Sequence, residues 1–256
     1  MRDSQRATLI LFSVAFIWGM TFIWMKQALD AADSHLIGVD GRWVAMHFVA
    51  FRFLIGSLFT IVLLRSSRSG FNDPEVWRGG FSLGLILILG FLIQMVGLTN
   101  ITPAVSAFLT SLYVVFTAII GVAIGRQRFT PFMLLGVVLA TFGAGWISGP
   151  PRVEFGVGEW LTVLSGFLFA LHIIVTDGVT RVVDPIQSTG TMMVTVMLLA
   201  FLILLADPMG YEGSSPLGDS LALLIHFDHL LPLSLCGFFG SFTALALLMK
   251  LSLIHI

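Results

Sequence analysis

The chain has 256 residues, of which 57% are apolar or aromatic before its 26 glycines are counted and only 11% are charged. A soluble domain is about 45–50% apolar with glycine included and about 25% charged, so the composition excludes a soluble enzyme, a nucleic-acid-binding protein and a disordered chain. Thirteen Lys and Arg against fourteen Asp and Glu leave a formal charge of -1, which offers no basic surface to a polyanion. The composition predicts a protein embedded in a lipid bilayer.

Apolar segments of the chain predict eight membrane-spanning helices. A helix needs about 20 apolar residues to cross about 30 Å of hydrocarbon. The 47-residue uncharged window from Gly79 to Gly125 is too long for one crossing, and Asn100-Ile101-Thr102-Pro103 near its middle predicts a tight turn between two helices. Because lipid offers no partners to the backbone, we expect an all-α polytopic bundle. The predicted spans are 7–25, 43–64, 80–99, 103–124, 131–148, 159–176, 187–206 and 229–249.

The distribution of basic residues predicts the orientation of the chain. With the N-terminus in the cytoplasm, nine Lys and Arg residues lie inside and three outside, as the positive-inside rule favours. Five spans precede the Gly149-Pro150-Pro151-Arg152 segment, so a second copy of this unit would cross the membrane upside down. We therefore expect an inverted five-helix repeat: a first unit over 7–148 and an incomplete second unit over 156–250, giving about eight of ten helices in a C-terminally truncated chain.

Three stretches of the sequence resemble one transporter family. They are Phe16 to Phe22 with its Trp18-Gly19 pair, Phe51 to Leu54 with Arg52, and Gly97 to Ala118, which contains Thr102-Pro103-Ala104-Val105-Ser106-Ala107. Together they resemble the EamA-like group of ten-helix proteins in the drug/metabolite transporter superfamily. The Arg126-Gln127-Arg128 segment departs from the family, which often has a glutamate there. The resemblance implies alternating-access transport of a small metabolite, amino acid or drug, with the substrate between two inverted halves.

Two ionisable side chains fall deep inside the predicted spans. Arg52 lies about ten residues into the second span, and a charge at that depth costs about 2.5–3.5 kcal/mol, so it needs a partner or a water path. It either faces a cavity, where it binds an anionic group or locks two helices, or it snorkels or pairs with helix-end carbonyls. His172 lies in the sixth span and either couples transport to protons or is a satisfied structural donor.

Uncharged polar side chains also cluster in the spans. Ser106, Thr110 and Tyr113 follow one another at i, i+4 and i+7, so they share one helix face that either lines a cavity or bonds neighbouring backbone. Small residues four apart, as in Ala15/Gly19, Gly121/Gly125 and Ala140/Ala144, predict close helix packing. The candidate substrate-binding residues are Trp18, Thr21, Arg52, Gln94, Ser106, Thr110, Tyr113 and His172.

The sequence thus predicts a secondary transporter of the inner (plasma) membrane, multi-pass with a cytoplasmic N-terminus, whose partners are a small-molecule substrate and the bilayer. No enzyme activity, catalytic residue, metal site, cofactor or nucleic-acid partner is expected. The oligomeric state stays open, with a homodimer as one option. Two alternatives remain: a non-transporting scaffold or receptor, and an intramembrane enzyme. An intramembrane enzyme needs a catalytic dyad or a metal site whose residues lie at the same depth in the membrane, and the spans contain no such set of His, Asp and Glu.

Overall fold

The structure, a computed structural model, describes residues 3–126, 130–147, 156–206 and 215–244, and this part of the chain is helical without a strand. This confirms the predicted all-α fold. The helices are α1 (Asp3–His35), α2 (Gly41–Leu63), α3 (Pro74–Leu98), α4 (Pro103–Ser111), α5 (Tyr113–Ala123), α6 (Pro131–Ile147), α7 (Val157–Val179), α8 (Pro185–Ala206), α9 (Pro216–Leu223) and α10 (Phe227–Leu235). A 3₁₀ helix (Arg65–Asn72) joins α2 to α3, and a π-helix (Cys236–Thr243) continues α10.

The chain is a multi-pass membrane protein. Six helical segments among the described residues are long and apolar enough to cross a membrane, with α4 and α5 together forming one of them, and a seventh arises if α9 and α10 with its π-helix count as one bent span. The break in that pair turns the chain by 87°. The predicted fifth span corresponds to α6, whose 17 residues extend about 26 Å at about 1.5 Å per residue.

Several predicted boundaries shift in the structure. α1 has 33 residues, so it continues ten residues beyond the predicted end of the first span. α9 lies between the predicted seventh and eighth spans, where the sequence predicts no span. The predicted hinge at 149–152 and the end of the last span at 245–249 lie outside the described residues.

Local capping signals explain where the helices begin. Asp40 precedes α2 and accepts a hydrogen bond from the Arg42 backbone N–H at 2.8 Å. α3 and α4 each begin with a proline directly after a capping side chain, Asp73 and Thr102 respectively. The second of these caps is part of the turn that the sequence predicted within the long apolar window.

The core lies where α2, α3 and α8 pack together, with α7 on the other side of α3 and α10 between α1 and α2. Glycines on α3 permit the close contacts. A Cβ atom added at Gly80 would lie 2.7 Å from Thr191 Cβ, and one at Gly84 would lie 2.8 Å from Thr195 Cβ. Gly90 meets the Phe169 ring of α7 in the same way, at 2.8 Å.

Two glycines of the small pairs predicted from sequence, Gly19 and Gly125, are not at such contacts. A Cβ atom at Gly19 or Gly125 would have nothing within 4 Å, and Gly125 has φ +72°, so it serves a turn rather than helix packing. The side chains of Ala140 and Ala144 lie outside the described residues.

A buried histidine pair joins three helices near one end of the bundle. His229 Nδ1 lies 2.9 Å from the Ala28 carbonyl oxygen of α1, and its Nε2 lies 3.1 Å from His47 Nε2 of α2. A carbonyl only accepts, so His229 Nδ1 carries the proton; in its neutral form its Nε2 then accepts from His47 Nε2–H. His35 ends α1 close by, and we call this end of the bundle the His35 end.

Candidate functional site

A cavity of about 340 Å³ lies in the middle of the bundle, bounded by residues of α1, α2, α3, α4, α5, α7 and the π-helix. Arg52 is 11 residues from the start of α2, or about 17 Å along a helix about 35 Å long, so the cavity lies near half depth. The lining residues are Ala15, Trp18, Gly19, Thr21, Phe22, Arg52, Phe53, Leu87, Phe91, Gln94, Ala107, Thr110, Ser111, Tyr113, Phe169, His172, Ile173, Gly240 and Ser241.

The structure brings seven of the eight candidate residues to this one cavity: Trp18, Thr21, Arg52, Gln94, Thr110, Tyr113 and His172. Ser106 is the exception. It is buried but does not line the cavity, and its hydroxyl has no hydrogen-bond partner among the described residues. The predicted common face is interrupted because α4 ends at Ser111 and α5 begins at Tyr113. The role of these residues in substrate binding stays a prediction.

Among the described residues, Arg52 brings the only guanidinium to the cavity, and it is 2% exposed. Its Nε donates to Ser241 Oγ at 2.9 Å, and its Nη1 contacts Met25 Sδ at 3.4 Å. The guanidinium carbon lies 4.4 Å from the centroid of the Phe91 ring and 5.7 Å from that of Phe53, both within cation–π range. No carboxylate of the described residues forms an ion pair with Arg52, and its contacts within this part of the chain are a hydroxyl, a thioether and two aromatic faces.

Close packing between α1 and the π-helix forms one wall of the cavity. Trp18 Nε1 donates to the Gly240 carbonyl oxygen at 3.2 Å, and Thr21 Oγ1 donates to the Trp18 carbonyl at 2.6 Å. A Cβ at Gly240 would lie 2.5 Å from Thr21 Cγ2 and 3.2 Å from Arg52 Nη2. The absence of a side chain at Gly240 therefore leaves space for the guanidinium of Arg52.

The opposite wall carries uncharged polar groups. Gln94 Nε2 of α3 donates to Thr110 Oγ1 of α4 at 3.0 Å, and both residues are buried. The Gln94 amide oxygen has no hydrogen-bond partner among the described side chains and backbone, so it is available to accept from a ligand. The Tyr113 hydroxyl, at the start of α5, likewise makes no hydrogen bond within the described part of the chain.

His172 enters the cavity from α7, with its Nε2 3.3 Å from Met192 Sδ of α8. Asp177, five residues further on in α7, pairs with Arg126 at 2.9 Å and with Arg181 at 3.0 Å. His172 and Asp177 therefore have separate partners. His172 and Arg52 both line the same cavity.

Sequence reasoning missed several lining residues. Phe53, Phe91 and Phe169 supply aromatic surface around the guanidinium, but the chain has 23 phenylalanines and a pattern of spans does not tell a cavity aromatic from a lipid-facing one. Ser241 was missed as well. Its signal was the Gly237-x-x-Gly240-Ser241 cluster of small residues in the last span, which marks a close approach to another helix.

A second cavity, of about 540 Å³, lies at the His35 end and is more polar. Lys26, Asp33, Asp40, Arg42, Thr99 and Asn100 contribute to its lining. Asp40 and Arg42 form an ion pair there, and the hydrogen bond from the Arg42 side chain lowers the pKa of the Asp40 carboxyl below its usual value. This charged cavity contrasts with the largely apolar cavity in the middle of the bundle.

Comparisons with known proteins agree with this architecture. Residues 5–149 match the model of the EamA-like transporter family. An uncharacterized transporter of Archaeoglobus fulgidus is 31% identical over 179 residues, covering 70% of this chain and 51% of that protein. A WAT1-related chloroplastic protein of Arabidopsis thaliana is 24% identical over 220 residues, covering 80% of this chain and 49% of that protein.

The chain spans about half the length of these curated relatives. The family match nevertheless covers more than half of the chain and includes α1 to α6, which carry six of the seven candidate residues that reach the cavity. The chain is thus a multi-pass helical membrane protein that belongs to the EamA-like transporter family.

Proposed function

We propose that this protein moves a small anionic molecule across the cytoplasmic membrane by alternating access, and that the substrate binds in the 340 Å³ cavity. The volume supports this, since small-molecule sites occupy about 300–1,000 Å³ and are mostly apolar with a few placed polar groups. The position near half depth also supports it, because substrate sites of secondary transporters lie near the bilayer midplane.

The observation that carries the proposal is the buried charge of Arg52. A cation at this depth costs about 2.5–3.5 kcal/mol relative to an apolar residue, and its contacts are with a hydroxyl, a thioether and aromatic rings, with no carboxylate of the described residues as a counter-ion. A substrate carboxylate or phosphate would complete its coordination, because the planar guanidinium binds such groups through two parallel hydrogen bonds. The charge thus selects the anionic part of the substrate.

The remaining lining residues suggest the other parts of the substrate. Phe91, Phe53 and Phe169 surround an apolar or aromatic body next to the guanidinium. The Gln94 amide oxygen and the Tyr113 hydroxyl lie on the far wall, where they would bind a hydroxyl or amino group. Amino acids and carboxylate-bearing metabolites or drugs satisfy all three requirements.

For the transport cycle, we propose an inverted repeat with units over 7–148 and 156–250, an N-terminus in the cytoplasm and residence in the inner (plasma) membrane. The cavity draws on both units: α1 to α5 supply most of its wall, while α7 and the π-helix supply Phe169, His172, Gly240 and Ser241. Rocking of one unit against the other would expose the cavity to the two sides of the membrane in turn.

The test is uptake into proteoliposomes of paired compounds that share one apolar body and differ only in a carboxylate. We expect saturable uptake of the carboxylate compound and little uptake of its neutral amide. Arg52→Met should lower the uptake of the anion at least about 100-fold, because about 3 kcal/mol of charged hydrogen bonding is lost at about 1.4 kcal/mol per tenfold.

Arg78→Met is the matched control, since it removes the same charge from an exposed position of α3 and should leave uptake unchanged. Equal transport of the anion and the amide would reject the anionic substrate. Absence of transport across amino acids, organic acids and common drugs, with the protein correctly inserted, would favour the scaffold or receptor alternative.

A further inference from the structure

Two imidazoles and one carboxylate meet at the His35 end of the bundle, outside the substrate cavity. His35 is the last residue of α1, His226 is the residue before α10, and Asp228 lies in the first turn of α10. His35 and Asp228 are 193 residues apart in sequence. The cluster therefore forms through the packing of α10 against α1, and no local sequence motif predicts it.

The donor atoms of these three residues converge. His35 Nε2 lies 3.0 and 2.9 Å from the two carboxylate oxygens of Asp228. The His35 and His226 rings are stacked, with centroids 3.7 Å apart and planes inclined by 15°. One ligand atom of each residue can be chosen such that all three lie within 4.8 Å of one another.

We propose that His35, His226 and Asp228 bind a divalent transition-metal ion of the zinc type, with water as the fourth ligand. Zn²⁺ prefers imidazole nitrogen and carboxylate oxygen at about 2.0–2.2 Å in tetrahedral sites, which places neighbouring ligand atoms about 3.4 Å apart. The His35–Asp228 separations of 2.9 and 3.0 Å approach this value, and binding of the ion would turn the His226 ring out of its stack on His35. Mg²⁺ and Ca²⁺ do not suit this set of donor atoms, because they favour all-oxygen coordination.

An ion pair alone does not explain the cluster. A His35–Asp228 pair satisfies those two residues but does not use the second imidazole, His226. A bound cation would use both rings, because each neutral imidazole offers a lone pair that the metal takes up. The side chains of His35 and Asp228 are 27% and 58% exposed, so an ion can reach them from solution.

The site would connect two walls of the substrate cavity. α1 carries Trp18 and Thr21, and the π-helix that continues α10 carries Gly240 and Ser241. An ion shared by the end of α1 and the start of α10 would fix the separation of these elements at the His35 end. The proposal goes beyond the proposed transport function and does not depend on it.

The test is titration of the purified chain, prepared without a histidine tag, with Co²⁺ as a spectroscopic substitute for Zn²⁺. We expect one equivalent to bind, with the strong visible absorption of a four-coordinate Co²⁺ site and displacement by Zn²⁺. His226→Ala and Asp228→Asn should each weaken binding by at least about 10–100-fold, the loss seen even when only an outer partner of a metal ligand is removed.

Asp33→Asn is the matched control, because it neutralises an exposed carboxylate two residues from His35. It should bind Co²⁺ like the unchanged chain. Absence of saturable Co²⁺ binding, a six-coordinate spectrum, or equal affinity in the Asp228→Asn and Asp33→Asn variants would each overturn the proposal. Thermal unfolding of every variant without metal separates loss of the site from loss of the fold.

Discussion

Replacing Arg52 by methionine separates a substrate-binding role from a structural one. Methionine is unbranched and of similar reach, so it fills much of the same space among Phe53, Phe91 and Met25. The substitution removes a buried charge that costs about 2.5–3.5 kcal/mol to insert. It also removes a cation–π interaction of about 1–2 kcal/mol and one charged hydrogen bond to Ser241 of about 1.5–3 kcal/mol.

These opposing terms nearly cancel, so Arg52→Met should destabilise the protein by no more than about 2 kcal/mol. If Arg52 were instead one half of a buried structural ion pair, removing it would cost about 3–5 kcal/mol. The difference is measurable by unfolding in mixed micelles with increasing SDS, followed by tryptophan fluorescence. Arg78→Met serves as the control for removal of an exposed charge.

We expect the variant to keep most of its stability while losing anion uptake at least about 100-fold, in line with about 3 kcal/mol of lost binding. A loss of more than about 3 kcal/mol of unfolding free energy would show that Arg52 is mainly a structural clamp. Full uptake by a folded variant would refute its place in the substrate site.

Three further predictions follow from close contacts and a helix cap. Gly80→Ala should destabilise the bundle by about 1–3 kcal/mol in the same SDS titration, because its Cβ overlaps a threonine of α8, whereas Gly136→Ala, which meets nothing within 4 Å, should have little effect. Gly240→Ala should raise the KM for substrate, and Thr21→Ser should restore it in the double variant by removing the methyl group 2.5 Å from the new Cβ. Asp40→Ala should cost about 0.5–2 kcal/mol of stability through loss of the α2 cap. Since the pKa of Asp40 is lowered in the folded protein, that contribution is present above its ordinary pKa of 3.8 and is lost as pH falls through the lowered value, which unfolding at a series of acid pH values would detect.

The sequence predicted the membrane class, most helix positions and the family because these depend on local properties. Span length follows from apolar run length, and the Thr102-Pro103 turn is a cap and a proline next to each other. Arg52 and His172 could be singled out because a titratable group in a long apolar segment is rare whatever the tertiary fold. The family resemblance gave a further reason to single out residues 97–118, which form the longest of the three similar stretches.

Packing partners could not be found in the same way. Small residues four apart occur on many helix faces, and only the structure shows that Gly80 and Gly84 of α3, rather than Gly19 of α1, meet a neighbouring helix. The aromatic residues around Arg52 were equally hidden, since phenylalanine is favourable both in lipid and in a cavity wall.

The sequence alone predicts that this chain is a helical bundle in a bilayer, and it identifies the polar side chains whose burial there costs free energy. Both conclusions follow from the free energy of transferring each residue out of water. Only the tertiary structure decided that Trp18, Arg52 and His172 share one cavity, that Ser106 does not, and that His35 meets Asp228 across 193 residues. Such meetings depend on how helices rotate and pack against one another. That choice is made by shape complementarity between distant segments, which no single segment contains.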